Sequence, residues 1–272
     1  MCGRITLYTP PDHLARIFGA DLEAGVDPDG RPSWNVPPTR TILALTGERV
    51  PPEGGEMQHA SLTNERGDEG DSGAVDLRRH LGRFRWGLVP SWADDLSIGS
   101  RMFNARGETV ATKPSFRSAF VHRRAAVVAD GFYEWHTGAD GTKEAYYFTR
   151  ADGGPLALAG LWEQWEPKVA SVRPTGAMPG QEEAVVAGPI RSCTVVTTEA
   201  GPDMGDLHHR TPVVLEEDDL DEWLDPDNVD KVELASLLVA PPAGTIVHRR
   251  VGRSVGNVRN DGVTLIEAVA DD

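Results

Sequence analysis

The residue with the most distinctive chemistry is Cys2, which follows Met1 and precedes Gly3. Cysteine is small enough at the second position for an initiator methionine to be removed. Removal would leave an α-amine and a thiol on one residue. With ordinary pKa values of about 7.7–8.0 and about 8.5, both groups are partly nucleophilic near neutral pH. An aldehyde meeting this pair forms a Schiff base with the amine, after which the thiol adds to the imine carbon and closes a five-membered thiazolidine. An internal cysteine has no free amine and cannot do this. Gly3 lets a substrate approach the backbone closely. A Met-Cys start alone more often marks an inert cysteine in a first strand, so the case depends on partners elsewhere.

Candidate partners lie in segments dense in polar and aromatic residues. The segment from Ser33 to Thr39 reads SWNVPPT, and that from Arg85 to Trp92 reads RWGLVPSW. Trp86 reads as core, whereas Trp92, in a Pro-rich loop, suits stacking on an unpaired base. Asn104 and Arg106 are two apart, hence on one face of an extended segment. An amide beside a guanidinium matches a sugar hydroxyl next to a phosphate. In Asp130–Trp135 (DGFYEW), Glu134 lies between aromatics, where a desolvated carboxyl group suits proton transfer. In Leu207–Pro212 (LHHRTP), His208 or His209 offers a second acid/base group and Arg210 a phosphate clamp. Each of these residues also has a plain structural reading as a core, surface or loop residue.

The elements that must position these groups are mostly strands. Cys2–Tyr8 reads as a short strand, followed by a helix signal with Thr9 as N-cap and Leu14, Ile17 and Phe18 at helical spacing before Gly19. Further strands are expected at Thr41–Leu45, Arg83–Trp86, Ala125–Ala129, Leu156–Leu161, Cys193–Thr197 and Thr245–Arg249. Asp140-Gly141 predicts a hairpin between Tyr133–His136 and Ala145–Thr149. Acidic helices are expected over Glu216–Leu224 and Val229–Leu238. Strands dominate without regular helix alternation, so the expected class is α+β: a single compact domain, residues 1–272, with a strand-rich mixed β core and a few short helices. Segments 54–76 and 167–189, poor in periodic apolar residues, read as mobile loop insertions.

The 272 residues carry a net charge of −15, which argues against bulk attraction to nucleic acid. Locally the balance reverses: Arg101, Arg106, Lys113, Arg117, Arg123 and Arg124 face Glu108 alone. Beyond a Debye length of about 8 Å distant charges are screened, so a basic face on an acidic protein can still hold phosphates. Two cysteines far apart, no signal-peptide pattern and no membrane-length apolar run predict a reducing, cytoplasmic setting without a membrane. His208 and His209 are adjacent rather than one helical turn apart. No HExxH, Cys-rich, P-loop or dinucleotide-binding pattern occurs, so neither metal nor cofactor is expected.

MCGR, SWNVPPT, RWGLVPSW, NARGET, DGFYEW and LHHRTPVVL, in this order, resemble the SOS-response-associated peptidase (SRAP) family of abasic-site processing proteins. The resemblance implies an SRAP fold with a positively charged channel for single-stranded DNA and a role in DNA damage response and repair. It implies Cys2 as the nucleophile that captures the aldehyde of an abasic site in a covalent thiazolidine crosslink. Asn104 is implied at the sugar, Arg106 at the adjacent phosphate, Glu134 in proton transfer and His208 in opening the sugar ring. Arg4, Pro38, Arg85, Trp92 and Arg210 match DNA-contacting positions. Self-processing at Met1, a weak lyase activity through the Schiff base, and a monomer acting on single-stranded DNA that contains abasic sites complete the expectation. Thr211 and Gly107 depart from the family's usual Met and Ser. Two rivals remain: an amino-terminal cysteine amidohydrolase of glutaminase type, and a non-covalent single-stranded DNA-binding module.

Overall fold

The computed structural model describes residues 2–51, 76–138, 140–167, 188–205 and 207–269. In chain order the strands are β1 (Ile5–Leu7), β2 (Ala20–Leu22), β3 (Ser33–Val36), β4 (Thr41–Val50), β5 (Asp76–Trp86), β6 (Asn104–Arg106), β7 (Arg124–Ala129), β8 (Gly131–Thr137), β9 (Lys143–Arg150), β10 (Leu156–Trp165), β11 (Ile190–Glu199), β12 (Arg210–Pro212) and β13 (Ile246–Val251). The helices are α1 (Pro11–Ile17), α2 (Gly107–Val110), α3 (Arg117–His122), α4 (Glu217–Leu224) and α5 (Lys231–Ser236), with short 3-10 turns between elements. None is long and apolar enough to cross a membrane.

Two sheets form. One has the order β13-β9-β8-β1-β3 and is antiparallel throughout. The other runs β12-β11-β10-β7-β4-β5-β2, and β11 also pairs in parallel with β5 and with β6. The β11–β5 pairing closes the ladder β4-β5-β11-β10-β7 on itself. The fold is therefore α+β with mixed strands, as the sequence predicts.

Alternation along the strands sorts the apolar side chains into layers. On β4 and β7, Ile42, Ala44, Ala125 and Val127 point into a core between the sheets. There they meet Ile5, Val36, Phe132 and Phe148 of the smaller sheet. Their neighbours Leu43, Leu45, Ala126 and Val128 point the other way, onto the helices carrying Leu14, Phe120, Trp223 and Leu234. With both faces covered, β7 is buried along its whole length and shows no polar alternation.

Several expectations need correction. β1 starts at Ile5 rather than Cys2. Thr9 does not cap α1: its hydroxyl and N–H, with the Tyr8 N–H at 2.5 Å, all donate to the Asp130 carboxylate, leaving Pro10 as an N-cap without a side-chain bond. The last acidic helix is only α5, capped by the Asp230 carboxylate on the N–H groups of Val232 and Glu233. The insertions expected at 54–76 and 167–189 lie outside the described residues except at their edges, where Asp76 already belongs to β5.

The basic run from Arg101 to Arg124 is not one surface. Arg123 pairs with Glu163 at 2.9 Å. Arg124 is buried, and its guanidinium donates to the carbonyls of Phe120, Val121, Trp223, Asp225 and Asn228. Burial holds its pKa down to about 10, against the pull of Asp225. Replacing Arg124 by Ala strands those carbonyls, and a buried unsatisfied polar group costs about 1–3 kcal/mol. The expected outcome for Arg124→Ala is a loss of about 2–4 kcal/mol, read as a lower urea midpoint at unchanged slope.

Candidate active site around Cys2

Cys2 is fully buried and belongs to the core between the two sheets. Two backbone bonds, Tyr133 N–H to Arg4 C=O at 2.9 Å and Asp130 N–H to Thr6 C=O at 3.0 Å, fix the chain that leads to it. β8 runs antiparallel to β1 with Ile5 opposite Phe132 and Thr6 opposite Gly131. The same register extended by two residues brings Glu134, itself buried, to the level of Gly3 beside Cys2. Burial pushes the Cys2 thiol pKa far up, and the Glu134 charge pushes it further. The thiol is thus a neutral S–H near pH 7.

Asn104 reaches the same point from the other sheet. Its Nδ2 donates to the Cys2 carbonyl at 2.7 Å. β6 is set by its parallel pairing with β11, Asn104 opposite Val195. The loop entering β6 is pinned by a backbone crossing of Gly87 and Gly99. A Cβ on Gly87, whose φ is +119°, would lie 2.3 Å from the Gly99 carbonyl oxygen. Arg106, two residues on, is exposed, and its side chain makes no hydrogen bond or ion pair among the described residues.

On the opposite edge of β11, β12 pairs Arg210 with Glu199. His208 lies just before it, and its Nδ1 sits 3.0 Å from both the N–H and the C=O of Arg210. The Leu207 carbonyl lies 3.4 Å from Nδ1 of His136, which ties this loop to β8 two residues beyond Glu134. Cys2, Asn104 and Glu134 are therefore brought together, and His208 is tethered to the strand bearing Glu134.

The expected DNA contacts are placed less uniformly. Trp92 is 56% exposed, on a loop anchored by the Ser192 hydroxyl on Val89 N–H and by Trp165 Nε1 on Ala93 C=O. Arg85 donates to the Thr39 carbonyl at 2.7 Å, across the bend after Pro38, where Thr39 has a φ of +73°. Arg4 gives Nη1 to Asn35 Oδ1 at 2.6 Å and to the Val255 carbonyl at 2.9 Å, and its guanidinium lies 5.6 Å from the centre of the Trp135 ring. Arg210, expected to clamp a phosphate, instead forms a paired contact with Glu108 at 2.6 and 3.0 Å and binds the Thr197 carbonyl at 2.5 Å. It joins β12 to α2. Trp86 is core, its Nε1 on the Phe103 carbonyl.

Sequence reasoning missed Asn35. Its Nδ2 lies within hydrogen-bond distance of the carbonyls of Val255, Asn257 and Asn260, so this buried amide ties Arg4 to the C-terminal segment. The only signal was its place inside SWNVPPT. Of the departures from the family pattern, Gly107 has room for a Cβ at ordinary contact distance from Leu238 and Thr197. Thr211 is buried with its hydroxyl on the Pro212 carbonyl. Among the described residues no group of three or more His, Cys, Asp or Glu is placed to hold a metal ion.

A buried, protonated thiol is a poor nucleophile. With Met1 in place, Cys2 and Cys193 should both resist iodoacetamide near pH 7 in the native protein and be alkylated on unfolding. Mass spectrometry after a timed pulse checks this, and rapid native labelling of Cys2 would contradict its placement.

The sequence matches the model of the SOS response associated peptidase (SRAP) family over residues 1–258. It is 33% identical over 270 residues to the "Abasic site processing protein YoqW" of Bacillus subtilis (strain 168), covering 98% of this chain and 100% of that one. It is 30% identical to the protein of the same description, YedK, from Escherichia coli (strain K12), covering 99% and 100%. The chicken (Gallus gallus) relative HMCES is 31% identical over 69% of this chain and 57% of its own. Among solved structures, a Bacteroides thetaiotaomicron protein superposes with a TM-score of 0.72 at 19% identity, over 99% of this chain and 100% of that one. A family match over nearly the whole length, with relatives at and above 30% identity, places the chain: it belongs to the SRAP family.

Proposed function

We propose that this protein processes abasic sites in DNA, and that Cys2, once Met1 is removed, captures the ring-opened sugar covalently. The observation that carries the proposal is the convergence at Cys2 of a buried carboxyl group, Glu134, and an anchoring amide, Asn104. The names of the relatives, as abasic site processing proteins, support the same substrate.

In this reading Met1 leaves by hydrolysis of the Met1–Cys2 peptide bond, by the protein itself or by another peptidase. His208 assists opening of the abasic sugar to its aldehyde. The Cys2 amine adds to the aldehyde carbon, and water departs as the imine forms. The thiol sulfur then bonds to the imine carbon while its proton ends on the imine nitrogen, closing the thiazolidine. The amine acts first because only it can form the imine on which the thiol closes, and Glu134 carries protons between nitrogen, oxygen and sulfur. Arg106 meets the neighbouring phosphate and Asn104 sits at the sugar end, giving the proximity a bimolecular condensation lacks. A Schiff base that loses a proton by β-elimination before ring closure would cut the strand, which accounts for a weak lyase activity. Arg210 supports the loop of His208 through Glu108, while the exposed Trp92 stacks on an unpaired base, so single-stranded DNA is the expected form.

The decisive experiment mixes purified protein with single-stranded DNA bearing one abasic site and resolves the products under denaturing conditions. A heat-stable crosslink is expected, absent with Cys2→Ala and with Met1 removal blocked. Equal crosslinking by Cys2→Ala would sink the proposal. Equal affinity for undamaged strands without any crosslink would favour a plain binding module, and glutamine hydrolysis without DNA an amidohydrolase. His208→Ala should slow crosslinking by about 10²-fold or more without weakening DNA binding. Trp92→Ala should cost about 1–3 kcal/mol of single-strand affinity, measured at fixed salt.

A further inference from the structure

His136 stands on β8 two residues beyond Glu134, so the two side chains leave the same face of the strand, about 7 Å apart along it. Phe132, which enters the core between the sheets, shares that face. Glu134 is buried and His136 half-buried, so the row climbs from the core toward the surface. There His136 Nδ1 lies 3.4 Å from the Leu207 carbonyl oxygen. A carbonyl can only accept, so Nδ1 carries the hydrogen, in the neutral ring as in the charged one. Glu144 stands opposite His136 on β9, but its carboxylate already accepts from Arg250 at 2.9 Å and from the Tyr146 hydroxyl at 3.2 Å.

The oxygen that His136 holds belongs to the peptide unit joining Leu207 to His208. That unit is planar, so fixing its oxygen fixes the direction in which the chain enters His208. Other contacts hold His208 to the larger sheet. Its Nδ1 lies 3.0 Å from both the N–H and the C=O of Arg210 on β12, and the carbonyl of His209 accepts from Ala200 N–H at 3.1 Å, just beyond β11. Those contacts locate His208 relative to β11 and β12. They do not locate it relative to β8, which belongs to the other sheet.

We propose that His136 is a positioning residue for His208: by holding the Leu207 carbonyl it sets the gap between His208 and Glu134 across the two sheets, and so the rate at which the abasic sugar opens. This rests on the reading that His208 assists that opening and that Glu134 moves protons at Cys2. His136 itself acts only through the backbone. Proton transfer needs its partners within hydrogen-bond reach, and a misplacement of about 1 Å is enough to lose it. One hydrogen bond to the loop shifts the share of time spent in range by about two- to tenfold.

Two substrates separate this role from a general disturbance of the site. An abasic site must open its sugar ring before Cys2 captures it, whereas formaldehyde has no ring to open. Protein with Met1 removed, verified by intact mass, is given saturating single-stranded DNA bearing one abasic site. In parallel it is given formaldehyde without DNA, and the thiazolidine is followed as the gain of one carbon mass dependent on Cys2. His136→Ala should slow the DNA crosslink by about two- to tenfold. It should leave unchanged both the formaldehyde rate and the DNA concentration that gives half the maximal rate. His136→Asn, whose Nδ2 hydrogen can stand in for Nδ1–H, should recover most of the rate, while His136→Leu, which fills the space without a donor, should not. In a His208→Ala background, His136→Ala should slow the crosslink no further. Crosslinking by His136→Ala at the parent rate would overturn the proposal, as would equal slowing of both reactions or additive losses in the double variant. If His136→Ala fails to fold, equal crosslinking rates in His136→Leu and His136→Asn overturn it alone. A parent protein that captures formaldehyde but never crosslinks abasic DNA sinks the proposed function and this inference with it. One that crosslinks, with every His136 variant at its rate, sinks the inference alone.

Discussion

β1 has a hydrogen-bonded neighbour on each edge, β3 and β8, and Ile5 is paired to both. A three-residue strand is stable in such a place only because its apolar side chains enter the core between the sheets while its backbone groups are taken up on both sides. The rest of the site follows from that double pairing. The Arg4 carbonyl is fixed by Tyr133, so Cys2 projects into the core rather than fraying into water. β8, in register with β1, has no choice but to bring Glu134 alongside. β11 then supplies the opposite wall, carrying β6 with Asn104 on one edge and β12, preceded by His208, on the other.

The same layering reconciles an acidic chain with a phosphate-bearing ligand. Leu220, Trp223 and Leu224 of α4 and Leu234 of α5 pack on the outer face of the larger sheet, and Cys2 lies on its inner face. Sheet and helix layers are each about 10 Å thick. The carboxylates of α4 therefore stand farther from Cys2 than a Debye length of about 8 Å. Several are also neutralised in place: Arg79 pairs with Glu217 and Asp221, and Arg49 with Asp225. Arg101, Arg106, Lys113 and Arg117 remain exposed from the basic run.

What was legible in the sequence was what local pattern governs. The long strands, the hairpin at Asp140-Gly141 and the amphipathic face of Leu220, Trp223 and Leu224 all obey periodicity or turn chemistry within a few residues. Illegible were features settled by contacts across hundreds of residues. Arg124 sits in a basic run that looks solvated, and only the docking of α4 turns it into a buried hub. Thr9 has the right type and spacing for a cap but is outbid by Asp130, more than a hundred residues away. Arg210 has the look of a phosphate ligand, yet Glu108 reaches it first. Of the site, the residue types were readable and their partners were not: nothing local says that Asn104 faces the Cys2 carbonyl, or that Asn35 holds Arg4.

Asn35 and Arg4 together join the beginning of the described chain to its end, because the carbonyls they bind belong to Val255, Asn257 and Asn260. Those acceptors are the last part of the site to leave the ribosome. Until they arrive, the amide and guanidinium must stay hydrated, and the strand that follows Cys2 lacks its final lock. Contacts of such separation also form late in refolding, after local hairpins. The Cys2 site is thus timed as well as placed, and a chain interrupted before residue 255 would carry Cys2 on an unfinished strand.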